Sequence, residues 1–285
     1  MSRPRRAGLA FLAPVAFSIL ATVALAAEAP AAGAATASEV YRKVSPSVVL
    51  IEGVAMNPYA SGDKVERSAG SGFLVDASGL VVTNSHVVFG QQVLAVTLDD
   101  GTTLPARIVG ADPVYDIAVI RIPPPKQGSL PVVELGDSSA LDVGDEVFAV
   151  GNPLGLEQTL TRGIVSALDR LLPGASWSLR EPLIQTDAAI NHGSSGGPIV
   201  DDRGKVVGMA TAILPEAQGI GFAIPIDLVK KVLPELEEKG RVVRPWLGVQ
   251  GQLVPPPLRE LLKVPLVDPE KVAAVLSSLK VGATV

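Results

Sequence analysis

Thr186-Asp187-Ala188-Ala189-Ile190-Asn191-His192-Gly193-Ser194-Ser195-Gly196-Gly197-Pro198 is the stretch on which the reading of this chain turns. A serine held between glycines, just ahead of a Gly-Gly-Pro turn, has the form of an activated nucleophile. Glycine lets the backbone bend sharply and come close to a substrate carbonyl. In such a bend the amides of Gly193 and Ser195, with Ser194 between them, can converge on one point as an oxyanion hole. Losing one such donor costs about 2.7–4 kcal/mol of transition-state stabilisation. The same letters also fit an ordinary Ser/Gly surface turn, so the pattern needs partners elsewhere in the chain.

The partners are few. The chain holds two histidines, His86 and His192. A serine nucleophile near neutral pH needs a base, and histidine is the usual one. G-x-S-x-G also marks the nucleophile elbow of α/β-hydrolases, whose order is Ser, acid, His. No histidine follows Ser195, so that reading fails and the order His…Asp…Ser stays open. His86 sits just past the apolar run that ends in Val81-Val82-Thr83-Asn84, and is read as general base and then acid. Asp116 heads the run Ile117–Ile122, where a partly buried carboxylate must find a partner; it is read as the group that orients the imidazole. His192 is a rival base, but it lies three residues from Ser195 and would have to fold back.

Composition closes other routes. Cysteine is absent, which removes disulfides, a thiolate nucleophile and Cys-ligated metal sites. Two histidines without H-E-x-x-H argue against a zinc hydrolase, so neither a metal nor another cofactor is expected. A formal net charge of −5 leaves no basic footprint for nucleic acid.

From Ser45 to Ile224 the chain carries about twelve short apolar runs, among them Val48–Ile51, Phe73–Val75, Leu80–Val82, Val93–Leu98, Val147–Val150, Gly163–Leu168, Val206–Ala210 and Gly221–Ile224. Turn signals such as Asp76-Ala77-Ser78-Gly79, Asp99-Asp100-Gly101 and Asp201-Asp202-Arg203-Gly204 bound many of them. This pattern predicts an all-β barrel or sandwich, not βαβ units. Pro123-Pro124-Pro125-Lys126-Gln127-Gly128 interrupts it as a connection between two halves. Asn57–Arg67 and Asp169–Glu181 read as loops. Asp227–Gly240 reads as a helix capped by Asp227 and stopped by Gly240, with Pro234 kinking it or shifting its start.

Thr83-Asn84-Ser85-His86-Val87-Val88, Tyr115-Asp116-Ile117-Ala118-Val119, the Ser195 stretch, Thr211-Ala212-Ile213-Leu214 and Gly219-Ile220-Gly221-Phe222-Ala223-Ile224-Pro225 together resemble the HtrA (high-temperature-requirement, DegP-like) family of trypsin-like serine proteases. The likeness covers about residues 39–249. It implies an all-β fold of two six-stranded chymotrypsin-like β-barrels with a short C-terminal helix and the active site in the cleft between the barrels. It also implies an ATP-independent endopeptidase for misfolded or flexible proteins and, in part of the family, homotrimers. The family's Ser directly precedes Gly-Gly, which selects Ser195 over Ser194. Two departures stand out: the family's Asn-Pro-Gly-Asn-Ser is here Asn191-His192-Gly193-Ser194-Ser195. They motivate an alternative, a catalytically silent chaperone-like binder of the same fold. Ser194 also cannot form the ion pair that an acidic residue makes there in trypsin-like digestive enzymes, so control by loop ordering or assembly is expected. Where trypsin places an acid on its pocket floor, this chain has Ala189, next to Ile190. With Ile220, they predict cleavage after small or medium aliphatic residues. Thr211, Ala212, Ile213 and Leu214 are expected to pair with an extended substrate.

The ends read separately. Arg3, Arg5 and Arg6 precede an uncharged run from Ala7 to Ala27, and Ala24-Leu25-Ala26 fits a cleavage site, so 1–26 is read as a signal peptide for export to the periplasm. An uncleaved segment would instead make a membrane-anchored signalling protease. Residues 27–38 read as a flexible linker and 39–240 as the protease domain. Arg244-Pro245-Trp246-Leu247-Gly248-Val249 resembles the start of a PDZ domain, and 241–285 is read as a truncated or degenerate PDZ-like segment.

Overall fold

The computed structural model describes residues 35–56, 64–125, 128–152, 158–171, 182–213 and 219–244. The expected signal peptide, most of the linker, Leu214 and the tail from Pro245 lie outside these residues. So does most of the stretch Asp169–Glu181.

Strands β1 (Val48–Met56), β2 (Val65–Asp76), β3 (Leu80–Thr83), β4 (Val93–Thr97), β5 (Thr103–Asp112) and β6 (Ile117–Arg121) close into a barrel in the order β1-β2-β3-β6-β5-β4. Strands β7 (Glu146–Gly151), β8 (Thr159–Arg170), β9 (Leu183–Thr186), β10 (Pro198–Val200), β11 (Val206–Ile213) and β12 (Gly221–Pro225) close a second, in the order β10-β11-β12-β9-β8-β7. The two six-stranded barrels expected from the resemblance are therefore present, and the quoted apolar runs lie in strands except for Leu98 and Ile122, each one residue past its strand's end. The predicted turns form through aspartate side chains: Asp76 Oδ1 accepts from Ser78 N at 2.6 Å and Asp201 Oδ1 from Lys205 N at 2.8 Å.

The runs are continuous, not alternating, because many strands are buried on both faces. Val49, Ile51, Leu74, Val81, Ala118 and Ile120 fill the first barrel. Val147, Ala149, Val165, Ile184, Ile199 and Ala223 fill the second. The alternate residues of the same strands, among them Val48, Phe73, Val82, Val119, Phe148, Val150, Met209 and Ile224, meet in a third cluster that joins the barrels. Phe73 and Phe148 are fully buried there. Burying side chains of that kind contributes about 1.5–3 kcal/mol each. Helix α1 (Ala37–Val44) adds Val40 and Val44 to this joint.

Three boundaries differ from expectation. The loop read as Asn57–Arg67 gives up Val65, Glu66 and Arg67 to β2, where Arg67 pairs with Val54 and Val65 with Met56. Ala37 and Ser38, read as linker, are helical. The Thr36 side chain caps Glu39 N while Glu39 reaches back to Thr36 N. After the short helix α2 (Ser85–Val88), the next helix among the described residues, α3, spans Ile226–Lys239. Its N-cap is Pro225, not Asp227, whose carboxylate instead accepts from Ser138 N and Oγ and from Ser139 N at 2.8–3.0 Å. Pro234 lies inside this helix without ending it, and Gly240 stops it as expected, with φ 73°.

Candidate active site

The site is built around a backbone conformation. Asp116 is one of two described non-glycine residues with positive φ, at 55°. Aspartate tolerates this left-handed region better than most residues, at some cost. The turn before β6 holds it there: the Asp116 carbonyl accepts from Ser85 N at 3.2 Å and from Asn84 Nδ2 at 3.0 Å. Asn84 is fully buried. The same turn starts at Asp112, which is 2% exposed and takes both guanidinium nitrogens of Arg244 at 2.7 and 2.6 Å. Arg244 also lies 4.0 Å over the Tyr115 ring. Burial alone would ease its proton away, but the bond to Asp112, helped by Tyr115, raises its pKa above the usual guanidinium value.

Held this way, the Asp116 carboxylate faces α2. His86 Nδ1 lies 2.8 Å from its Oδ2 and 3.0 Å from its Oδ1, and the His86 backbone amide donates to Oδ1 at 3.0 Å. The carboxylate is largely buried while the imidazole is half exposed. A ring that donates from Nδ1 keeps Nε2 as its acceptor, the tautomer a general base needs. A further donor comes from the other barrel: Thr211 Oγ1 reaches Asp116 Oδ2 at 2.7 Å.

Ser195 arrives from the second barrel in the turn before β10. Its carbonyl accepts from Ser71 N at 2.8 Å, which fixes the turn against β2. Gly196, at φ 84°, fits so closely that an added Cβ would lie 2.2 Å from Ser71 O and 2.3 Å from Thr83 Oγ1. The Ser195 hydroxyl donates to Thr211 O at 3.4 Å; among the described residues no hydrogen bond joins it to His86. Thr211 thus touches both the serine and the aspartate.

Of the three amides expected to face an oxyanion, Ser194 N–H is turned away to Asn191 O at 2.9 Å. The amides of Gly193, whose φ is 93°, and Ser195 have no protein acceptor among the described residues. His192 is exposed on this turn, and among the described residues no hydrogen bond joins it to Ser195.

The expected substrate residues divide. Ala189 is exposed and its carbonyl accepts from Thr161 Oγ1 at 2.9 Å. Ile190 is buried in the second barrel, where its side chain lies against Gly221. Ile220 packs on the cluster between the barrels, and Phe222 is buried within it. Ala212 and Ile213 pair with Phe222 and Gly221 of β12, while β10 pairs with β11 only as far as Met209. Among the described residues, one edge of β11 is therefore unpaired at Ala212 and Ile213.

Residue reasoning missed Ser71, Asn84 and the Asp112–Arg244 pair. Gly70-Ser71-Gly72 ahead of Phe73 carried a usable signal, because small residues in a strand mark a close approach of another backbone.

Residues 70–209 match the trypsin-like peptidase domain. HhoA of Synechocystis sp., which bears a serine protease name, is 52% identical over 183 residues, covering 64% of this chain and 46% of that one. The periplasmic serine endoprotease DegP of Salmonella typhimurium is 48% identical over 199 residues, covering 68% and 41%. The chain thus spans somewhat less than half the length of these curated relatives. Among solved structures, the HtrA-type protease AlgW with a tripeptide superposes with a TM-score of 0.68 at 39% identity, covering 80% of this chain and 72% of that one. AlgW with a decapeptide gives 0.68 at 35%, covering 81% and 76%. Both barrels, the His86–Asp116 pair and the Ser195 turn agree with these likenesses, and the chain belongs to the HtrA family of trypsin-like serine proteases.

Proposed function

We propose that the chain is an exported serine endopeptidase that cuts misfolded or flexible proteins without ATP, with Ser195 as nucleophile, His86 as base and acid, and Asp116 as the orienting carboxylate. The observation that carries this reading is the His86–Asp116 contact at 2.8 Å, set beside a serine turn clamped to the same barrel by the Ser71–Ser195 bond. Substrate binding turns the Ser195 hydroxyl from Thr211 O to His86 Nε2. The hydroxyl then attacks the scissile carbonyl as His86 takes its proton. The amides of Gly193 and Ser195 receive the developing oxyanion. His86 next protonates the leaving amine, and water, activated by the same ring, releases the acyl group. The Asp116 carboxylate holds the ring in place and stabilises the imidazolium.

The open edge of Ala212–Ile213, with Leu214 beyond it, accepts an extended substrate as an added strand. Main-chain pairing is indifferent to most side chains, which suits unfolded targets. Ala189 supplies no charge and Ile190 takes up space beside Gly221, which favours small or medium aliphatic residues before the cut. The Asp187 carboxylate accepts from Ile164 N at 2.7 Å, so it is already engaged by β8. The likeness to a periplasmic DegP supports placement in that compartment. Assembly as a homotrimer belongs to the same proposal.

The test is degradation of unfolded casein and labelling by a fluorophosphonate, both measured for wild type and Ser195→Ala. Activity and label present in wild type and absent in the variant support the enzyme. The Ser195 hydroxyl bound to Thr211 O, not to His86, favours a second reading: a silent peptide-binding chaperone of this fold. An unlabelled wild type that still suppresses casein aggregation would establish that reading.

A further inference from the structure

We propose that Ser71, a residue of the first barrel, is a positioning residue that sets the oxyanion-binding conformation of the 193–196 turn in the second. This rests on the serine endopeptidase reading above. Ser71 is fully buried, and its bonds point at three chain segments. Its hydroxyl donates to Gly193 O at 2.6 Å and accepts from Asn152 N at 2.9 Å. Its amide donates to Ser195 O at 2.8 Å, and its own carbonyl is held by Thr83 Oγ1 at 2.7 Å.

The effect follows from peptide planarity. In a trans peptide the C=O and N–H of one plane point in opposite directions, so fixing one end aims the other. The Ser71 hydroxyl fixes the carbonyl of the 193–194 plane, and Asn191 O holds the amide of that same plane at 2.9 Å. The Ser71 amide fixes the 195–196 plane. Between them, Ser194 O accepts from Gly197 N at 2.9 Å, which turns the opposite end of its plane, Ser195 N–H, toward the cleft. Ser71 therefore grips the peptide planes on both sides of the one that carries an oxyanion donor. The plane carrying Gly193 N–H has no such clamp among the described residues. Its direction follows from the fixed 193–194 plane through Gly193, whose φ is 93°. Without the Ser71 hydroxyl, the Gly193 carbonyl loses its donor, Asn152 N–H loses its acceptor, and the 193–194 plane is held only by the Ser194 N–H bond to Asn191 O, which leaves it looser.

A residue that only supports the fold would affect substrate and transition state alike. A residue that aims the oxyanion donors affects the transition state. Steady-state kinetics on an aliphatic chromogenic peptide should give Ser71→Ala a kcat reduced by about 10- to 100-fold, short of the ~10²–10³-fold cost of deleting a donor. KM should change by less than about threefold, and a peptide boronate that mimics the tetrahedral state should weaken by the same factor as kcat. Ser71→Cys keeps the side-chain volume with a weak S–H donor and should fall between wild type and alanine. If the alanine variant does not fold, the cysteine variant alone decides. A melting temperature near wild type with reduced kcat and boronate affinity upholds the role; full activity overturns it. Equal weakening of boronate and peptide substrate would also overturn it. Wild-type turnover that vanishes in Ser195→Ala is the control: without it the endopeptidase reading fails first, whatever Ser71 does.

Discussion

Replacing Thr211 with valine changes one hydroxyl into a methyl and asks whether the second barrel completes the aspartate site of the first. Thr211 is 5% exposed and Asp116 7%, so water cannot take the place of the lost donor. The bond runs from Oγ1 to Asp116 Oδ2 at 2.7 Å and is charge-assisted. Hydrogen bonds to charged groups contribute about 1.5–3 kcal/mol each. Valine is β-branched and suits a strand, so backbone effects on β11 are small. The expected loss of stability is thus about 1.5–3 kcal/mol, which for a domain of this size lowers Tm by about 3–12 °C. Asp116 keeps its contacts from the His86 ring and backbone amide, so kcat should fall by about tenfold and not vanish. Thr211→Ser is the counterpart: it keeps the hydroxyl, loses a methyl's packing at about 1 kcal/mol, and should keep its kcat. Thermal unfolding followed by circular dichroism, with kcat on a chromogenic peptide, reads both. A valine variant that melts with wild type and turns over at the wild-type rate would refute the role of Thr211 as a donor that Asp116 needs.

Other outcomes follow from the same geometry. Gly196→Ala should yield inactive and largely insoluble protein, because its Cβ would lie 2.2 Å from Ser71 O at a φ of 84°; soluble, active enzyme in an expression and casein assay would contradict the close approach. Arg244→Met strands a carboxylate that is 2% exposed. Its stability cost, read by urea unfolding, should stay below the about 3–5 kcal/mol of a fully buried pair because Arg244 itself is partly exposed. Adding Asp112→Asn should recover part of it, and failure to recover any would count against the pairing. Asp227 titrates near 2 in the folded chain against an ordinary 3.8, with burial working against the shift and Lys230, Ser138 and Ser139 holding it down. A lowered carboxylate pKa stabilises the fold in full above the ordinary value, and that contribution is lost as pH falls from there through the folded-state value. The difference in urea midpoint between wild type and Asp227→Asn should therefore be full at neutral pH and shrink between about pH 4 and pH 2; a difference that does not change with pH would sink this assignment.

The strands were legible because the same fact that makes them apolar makes them continuous. Val48 and Val49, or Phe148 and Ala149, point to different clusters, and both are buried. Where one face meets water the signal faded. Glu66 and Arg67 are exposed, so by sequence the start of β2 resembles a loop, and only its pairing with β1 makes it a strand. Asp227 looked like a helix cap because its position is right for one. Its carboxylate serves Ser138 and Ser139, some ninety residues earlier, and no local rule reports such a partner. The flanking motifs sufficed to propose His86, Asp116 and Ser195 as a set, and the structure pairs the first two. For Ser71 the flanking glycines signal only that some backbone comes close; that it is the 193–196 turn is set by the packing of the two barrels and not by any local pattern.

The site is therefore a property of the joint and not of either barrel. Asp116 and His86 belong to the first, Ser195 and the free amides to the second. Among the contacts that tie them are those of Thr211 to Asp116, of Ser71 to Gly193 and Ser195, and of the apolar cluster around Phe73 and Phe148. The cluster contributes the adhesion, since burial of that kind is strong but carries no direction. The hydrogen bonds contribute the register, because each has a narrow range of distance and angle. Small residues along the contact, Gly196 above all, are the condition for both: they let two backbones meet closely enough for amides and hydroxyls to reach across. A change that loosens the joint by a fraction of an ångström would leave both barrels folded. It would still cost rate, because reactions of this kind depend on how well the reacting groups are held.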